Sequence, residues 1–191
     1  ARASEDLPAR RCAGQARGRR PVSAVARPLR ISRWVGIPLL AALLASLVLA
    51  APIRIFGLPL PEPVTLMAPA FAWAMIRPAA SPAFALLLGG LALDALWGGP
   101  TGLWPVALLA AYLPVLALRN ILAGQSPVVL AAWYALACLL AQAVGWLIAS
   151  RVAGTPPSLA AAGLQWLATV LLFPIAASLI EWFRDADVRF R

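Results

Sequence analysis

The 191-residue chain contains no histidine and no lysine; all sixteen of its cationic side chains are arginine. Without imidazole there is no ready general base near neutral pH and no common zinc ligand. Without lysine there is no Schiff-base nucleophile and no phosphate-binding glycine loop of the usual kind. Acids are scarce: Asp+Glu number 7. Only Asp94 among them lies deep in an apolar run, so no second carboxylate stands near it for acid–base work. The two cysteines fall in a polar arm (Cys12) and in the middle of an apolar stretch (Cys138), without a CxxC, which excludes both a disulfide framework and a thiolate zinc site. These absences predict a protein that is not an enzyme and that holds no metal and no cofactor.

Apolar residues are what the chain has in excess. They make up 62% of it and give a mean hydropathy of +0.85, where a soluble domain is about 45–50% apolar. With a formal net charge of +9, this composition indicates an all-α integral membrane protein rather than a basic soluble one. The charge is concentrated at one end, since residues 1–33 hold nine of the arginines. Such an arm could read as a nucleic-acid tail. Beside a membrane helix it reads instead as a cytoplasmic topology signal that touches anionic lipid, so no nucleic acid is expected as a partner. Rich in Arg, Pro, Ala and Ser and without helical periodicity, the arm is expected to be disordered. Arg10–Arg11 and Arg19–Arg20 do not make a twin-arginine signal, because Pro21 follows and the apolar run starts much later.

Six apolar stretches follow and predict a six-helix transmembrane bundle over residues 34–183, closed by a short charged cytoplasmic tail, 184–191. The stretches are Trp34–Ala51, Val64–Ile76, Pro82–Trp97, Leu103–Leu118, Pro127–Ser150 and Leu159–Phe183. Pro38 falls in a first turn, where its missing N–H is harmless. Pro69 predicts a kink or tilt in the second stretch. Trp34, Trp97, Trp104 and Trp182 fall near predicted ends, as interface anchors do. Leu49–Ala50–Ala51 resembles a signal cleavage site, but the run before it is long for a signal sequence. With the N-terminus in the cytoplasm, fourteen of the sixteen arginines are inside and only Arg54 and Arg151 outside, as the positive-inside rule requires. Arg77 and Arg119 then act as inner topology determinants.

Asp94 is the feature that needs a reason. A carboxylate at the centre of a membrane helix costs about 2.5–3.5 kcal/mol on insertion scales. Gly90 and Gly98 lie four residues to either side of it and share its helix face. Gly98–Gly99–Pro100–Thr101–Gly102 reads as a tight turn. It would bring the free N–H groups of Gly102, Leu103 and Trp104 to the carboxylate, with Arg54 or Arg151 as weaker candidates for an ion pair. This hairpin is either a surface that a partner reads or an internal pin between the third and fourth helices. Tyr112, Gln142 and Gln165 read as interhelical hydrogen-bonding residues.

The pattern Gly90–Leu91–x–x–Asp94–x–x–x–Gly98–x–x–x–Gly102, followed by Tyr112–Leu113 and preceded by Pro63–x–x–Leu66, Trp73 and Arg77–Pro78, resembles the signature region of the rod shape-determining protein MreD family. The resemblance spans about residues 34–185, with its specific motifs in 63–113. The Arg-rich arm departs from it. The resemblance implies a non-catalytic scaffold in the bacterial inner membrane, part of the elongation machinery for lateral peptidoglycan synthesis. Its partner would be MreC and, indirectly, MreB, RodA and the penicillin-binding partner of RodA. It also implies a fold similar to the substrate-binding subunits of energy-coupling-factor transporters. The alternative is a small-molecule binding or transporter subunit with a polar cavity lined by Asp94, Tyr112, Gln142 or Gln165.

The predicted orientation is checked by labelling single cysteines in intact cells with a membrane-impermeant maleimide, after replacement of the native cysteines. Arg54→Cys and Arg151→Cys are expected to react and Arg119→Cys to be protected; the reverse pattern would invert the topology.

Overall fold

The computed structural model describes residues 32–49, 54–55, 58–59, 62–76, 79–154 and 156–188, with side chains described at 34–49, 62–76, 79–154 and 156–183. The expectations for the arm up to residue 31, for Arg77, for the Arg54 side chain and for the last three residues lie outside the described residues.

A π-helical turn, Ser32–Gly36, leads into α1, Ile37–Leu49. The following loop carries a two-residue antiparallel ladder, β1 (Arg54–Ile55) with β2 (Leu58–Pro59). Then come α2 (Met67–Ile76), α3 (Ala80–Trp97), α4 (Leu103–Leu122), α5 (Pro127–Ala153), α6 (Leu159–Val170) and α7 (Phe173–Val188). α6 and α7 together form one kinked span, so the described residues follow a six-helix plan. Ala80–Trp97, Leu103–Leu122, Pro127–Ala153 and Leu159–Phe183 are long and apolar enough to cross a membrane, whereas Trp34–Leu49 and Met67–Ile76 are shorter. The chain is thus a helical, multi-pass membrane protein by length and composition.

α2 lies at the centre. Every residue from Pro63 to Ala74 is buried, and α2 packs against α7 and α4, and also against α1, α3 and α5. Alanines at 68, 70, 72 and 74 keep it slender, so neighbours approach closely, while Phe71 and Trp73 fill the remaining space. A helix that is apolar all round can take this central place without stranding a polar side chain.

Four details differ from the sequence reading. Pro69 causes no mid-helix kink: α2 begins at Met67, which puts the proline in its first turn, and Ala70 N still reaches Leu66 O at 3.1 Å. The sixth stretch is not one regular helix. Pro174 offers no N–H to Val170 O, and tighter bonds take over: Leu172 N to Thr169 O (3.0 Å) and Ile175 N to Leu172 O (3.0 Å). Its second half runs on to Val188, so the tail from Arg184 is helical that far. Trp34 and Trp104, 7% and 8% exposed, are core residues and not interface anchors. Trp34 stacks edge-on against Phe183 (6.4 Å) and accepts the Trp73 indole N–H at its carbonyl (3.0 Å).

The start of α2 is irregular backbone packed inside protein, which is tolerated only if its polar groups find partners there. Thr169 Oγ1 accepts from Val64 N (3.1 Å) and donates to Gln165 O (2.7 Å). Thr65 Oγ1 donates to Ala42 O (2.7 Å) and accepts from Ser46 Oγ. Tyr134 OH donates to Thr169 O (3.2 Å). These hydroxyls fasten α1, α5 and α6 around the buried end of α2. Thr169→Val keeps the shape but strands Val64 N–H, and is expected to destabilise the protein by about 1–3 kcal/mol. Thermal or denaturant unfolding in detergent would measure it; an unchanged transition would remove Thr169 from this role.

Candidate functional site

The hairpin of α3 and α4 is built from glycine, proline and one acid. Gly98 ends α3 in the left-handed region (φ 64), and Asp94 O accepts from Gly99 N at 3.1 Å. Gly102 precedes α4, also at positive φ (96). These are conformations that a side chain makes costly. Gly90 serves a different need: a Cβ there would stand 2.5 Å from Pro105 N and 2.7 Å from its Cα. The backbones of α3 and α4 touch at this point, and only glycine fits.

Asp94 is 2% exposed. Its Oδ2 accepts from Gly102 N at 2.6 Å and its Oδ1 from Trp104 N at 3.1 Å. Every backbone donor at the start of α4 is then accounted for. Leu103 N donates to Pro100 O (3.2 Å), Pro105 has no N–H, and Val106 N donates to Gly102 O (3.2 Å), the first helical bond. The sequence expectation named three donors for the carboxylate; two reach it, and Leu103 serves the turn instead. A negative charge opposes the dipole at the C-terminal end of α3 but is favoured at the N-terminal end of α4, and it is to the latter that both oxygens are bonded. The carboxylate thus completes a helix start.

The structure therefore brings Gly90, Asp94, Gly98 and Gly102 into one unit. Tyr112 is not part of it. It lies eight residues beyond Trp104, about 12 Å along α4. There it borders a narrow crevice with Met67, Phe71 and Val115, too small for a water molecule, and its buried hydroxyl has no hydrogen-bond partner. The indole N–H of Trp97 is likewise buried and unpaired, while its ring meets that of Trp104 edge-on at 5.1 Å. Arg119 is in the last turn of α4, well beyond Trp104, whose N–H Asp94 accepts, and about 22 Å from it along the axis, so it cannot pair with Asp94. Arg151 is exposed in the last turn of α5.

No family model, no curated protein and no solved structure matches the chain. The resemblance to MreD and the likeness to transporter subunits therefore gain no support from these comparisons, and the geometry stands by itself.

Sequence reasoning missed the second polar cluster, at Ser46, Thr65, Tyr134 and Thr169. Its signal was present, since hydroxyls isolated in apolar runs are the usual interhelical donors in membranes. Gln142 and Gln165 do meet, with Nε2 of the first donating to Oε1 of the second at 2.7 Å. Among the described residues, no three His, Cys, Asp or Glu side chains come together as a metal site.

Removing the carboxylate tests the site. Asp94→Ala strands Gly102 and Trp104 N–H and is expected to cost about 1–3 kcal/mol for each. Asp94→Asn, which keeps one strong acceptor, is expected to cost less, and Gly90→Ala about 1–3 kcal/mol through overpacking against Pro105. Unfolding in a single detergent ranks the three, and an Asp94→Ala protein as stable as the parent would refute the cap.

Proposed function

We propose that the protein is a non-catalytic membrane scaffold of the MreD type, set in the bacterial inner membrane with both termini in the cytoplasm. In this reading it supports rod shape and lateral peptidoglycan synthesis by binding a single-pass membrane partner of the MreC kind. The observation that carries the reading is the condition of Asp94. Asp94, buried within α3, has both oxygens bonded to backbone N–H groups of its own hairpin. A buried group so engaged shapes the hairpin and, through it, the surface that the hairpin presents. The residues that carry the family resemblance, Gly90, Asp94, Gly98 and Gly102, are also those that fix this hairpin. The small-molecule binding alternative has less to work with, because Gln142 and Gln165 bond to each other and Asp94 to the backbone.

The test is co-purification from membranes of the source bacterium, with MreC as the probe. Wild-type protein is expected to retain MreC, and depletion to give rounded cells. Asp94→Asn, expressed at the parental level, is expected to lower recovery of MreC at least severalfold if the hairpin surface is read by the partner. A well-expressed protein that never retains MreC, with depleted cells still rod-shaped, would sink the proposal.

A further inference from the structure

The last span is held unevenly along its length. α7 is packed onto α2, and its Ala176, Ile180 and Phe183 are buried. In α6 only Thr169 is buried, and α5 is its main neighbour. Across Leu159–Phe183 only Thr169, Ala176, Ile180 and Phe183 are buried. The joints between α6 and its neighbours are polar. Gln142 Nε2 donates to Gln165 Oε1 (2.7 Å), the Trp166 indole to Ala135 O (3.0 Å), and the Trp146 indole to Pro157 O (3.0 Å) just before α6. Lipid tails are as apolar as leucine, so burial of apolar surface adds no drive to keep α6 on α5, and these bonds together with local packing must do it.

Between the two halves lies the irregular turn at Leu171–Leu172, where Pro174 removes a rung of the helical ladder. The pivot itself is anchored. Thr169 O accepts from Tyr134 OH (3.2 Å) and Leu172 N (3.0 Å), and Thr169 Oγ1 from Val64 N (3.1 Å). A fixed pivot thus separates a half-span locked into the core from one held by a few hydrogen bonds.

We infer that α6 is a hinged half-span, whose part before Thr169 swings away from α5 about the anchored Thr169 while α7 stays on α2, and that the Gln142–Gln165 pair is its latch. The closed arrangement is the ground state. Opening leaves the Gln142 amide without its acceptor in an apolar surrounding, so the latch contributes to the cost of opening together with the two indole bonds. The α5–α6 seam is then the adjustable contact of the bundle, and the α3–α4 hairpin its fixed one. This goes beyond the scaffold reading and holds whichever partner the protein binds.

Electron–electron resonance distances between spin labels test it, on the full chain in lipid nanodiscs with Cys12 and Cys138 replaced by alanine. Leu96→Cys with Leu159→Cys reports α3 against α6, and Leu96→Cys with Val152→Cys reports α3 against α5; all three positions are exposed. The α3–α6 pair is expected to show a main distance with a minor longer component, and the α3–α5 pair a single narrow one. Gln142→Leu with Gln165→Leu is expected to raise the longer component about threefold or more, the scale of one interhelical hydrogen bond. Pro174→Ala, which restores an N–H for Val170 O, is expected to shrink it. An α3–α6 distribution that neither latch removal nor Pro174→Ala alters, or that broadens only as much as the control, overturns the hinge. Should the latch variant fail to fold, the comparison of parent with Pro174→Ala decides alone.

Discussion

A bilayer core offers no hydrogen bond to a peptide group, so every helix that starts inside a packed membrane bundle leaves donors that only the protein can satisfy. Two such starts organise this molecule. At α4 the donors are met by a side chain from the preceding helix, Asp94, through a five-residue glycine-rich turn. At α2 the donor Val64 N is met by a side chain from far along the chain, Thr169. The first solution is local and closes a hairpin. The second is long-range, and it ties the beginning of the bundle to its last span. Together they position the buried helix α2 and the pair α3–α4 on which it leans.

Small residues set how closely the helices approach once those starts are fixed. Gly90 admits the Pro105 backbone, Gly89 the side chains of Leu39 and Leu66, and Gly145 faces Leu103, whose methyl would stand 3.5 Å from a Cβ placed there. In each case a helix glycine is a landing place for a neighbour, which fits association driven by packing where no hydrophobic gain exists between helices. The arrangement is directional: α3 receives α1 and α4, α5 receives α4, and α2 fills the centre with alanine. Close backbone contact and buried capping thus coincide around α2, α3 and α4, whereas α6 has an exposed cap from Ser158 and packs mainly on α5.

Much of this was readable from the residues, and the boundary of what was readable is physical. The span plan follows from apolar runs alone. The hairpin followed because all its parts lie within about a dozen residues: an acid one turn from a helix end, glycines that permit left-handed φ, and a proline with no donor of its own. Local geometry there leaves few alternatives. The Thr169–Val64 bond joins residues 105 apart in sequence, and nothing in either neighbourhood names the other. Pro69 and Pro174 show the same limit from another side. Both are prolines in apolar runs; which one breaks a helix depends on where the helix begins, and that is set by tertiary contacts around α2 and α7. The burial of Trp34 and Trp104 had the same source, since position near a span end does not say whether lipid or another helix faces the ring.

The choice of aspartate at position 94 can be argued from counting. Two N–H groups point at the site, from Gly102 and Trp104, and Leu103 between them is already spent on the turn. A carboxylate presents two acceptor oxygens and no donor, which matches that demand. Asparagine presents one oxygen and an NH₂, so one backbone donor would face another donor in a buried place. Serine is too short to serve both. Glutamate adds a methylene where the α3 and α4 backbones already touch at Gly90. Those two bonds engage both oxygens with backbone donors of the hairpin itself. The aspartate is therefore the residue whose acceptors match the donors of this tight α3–α4 turn.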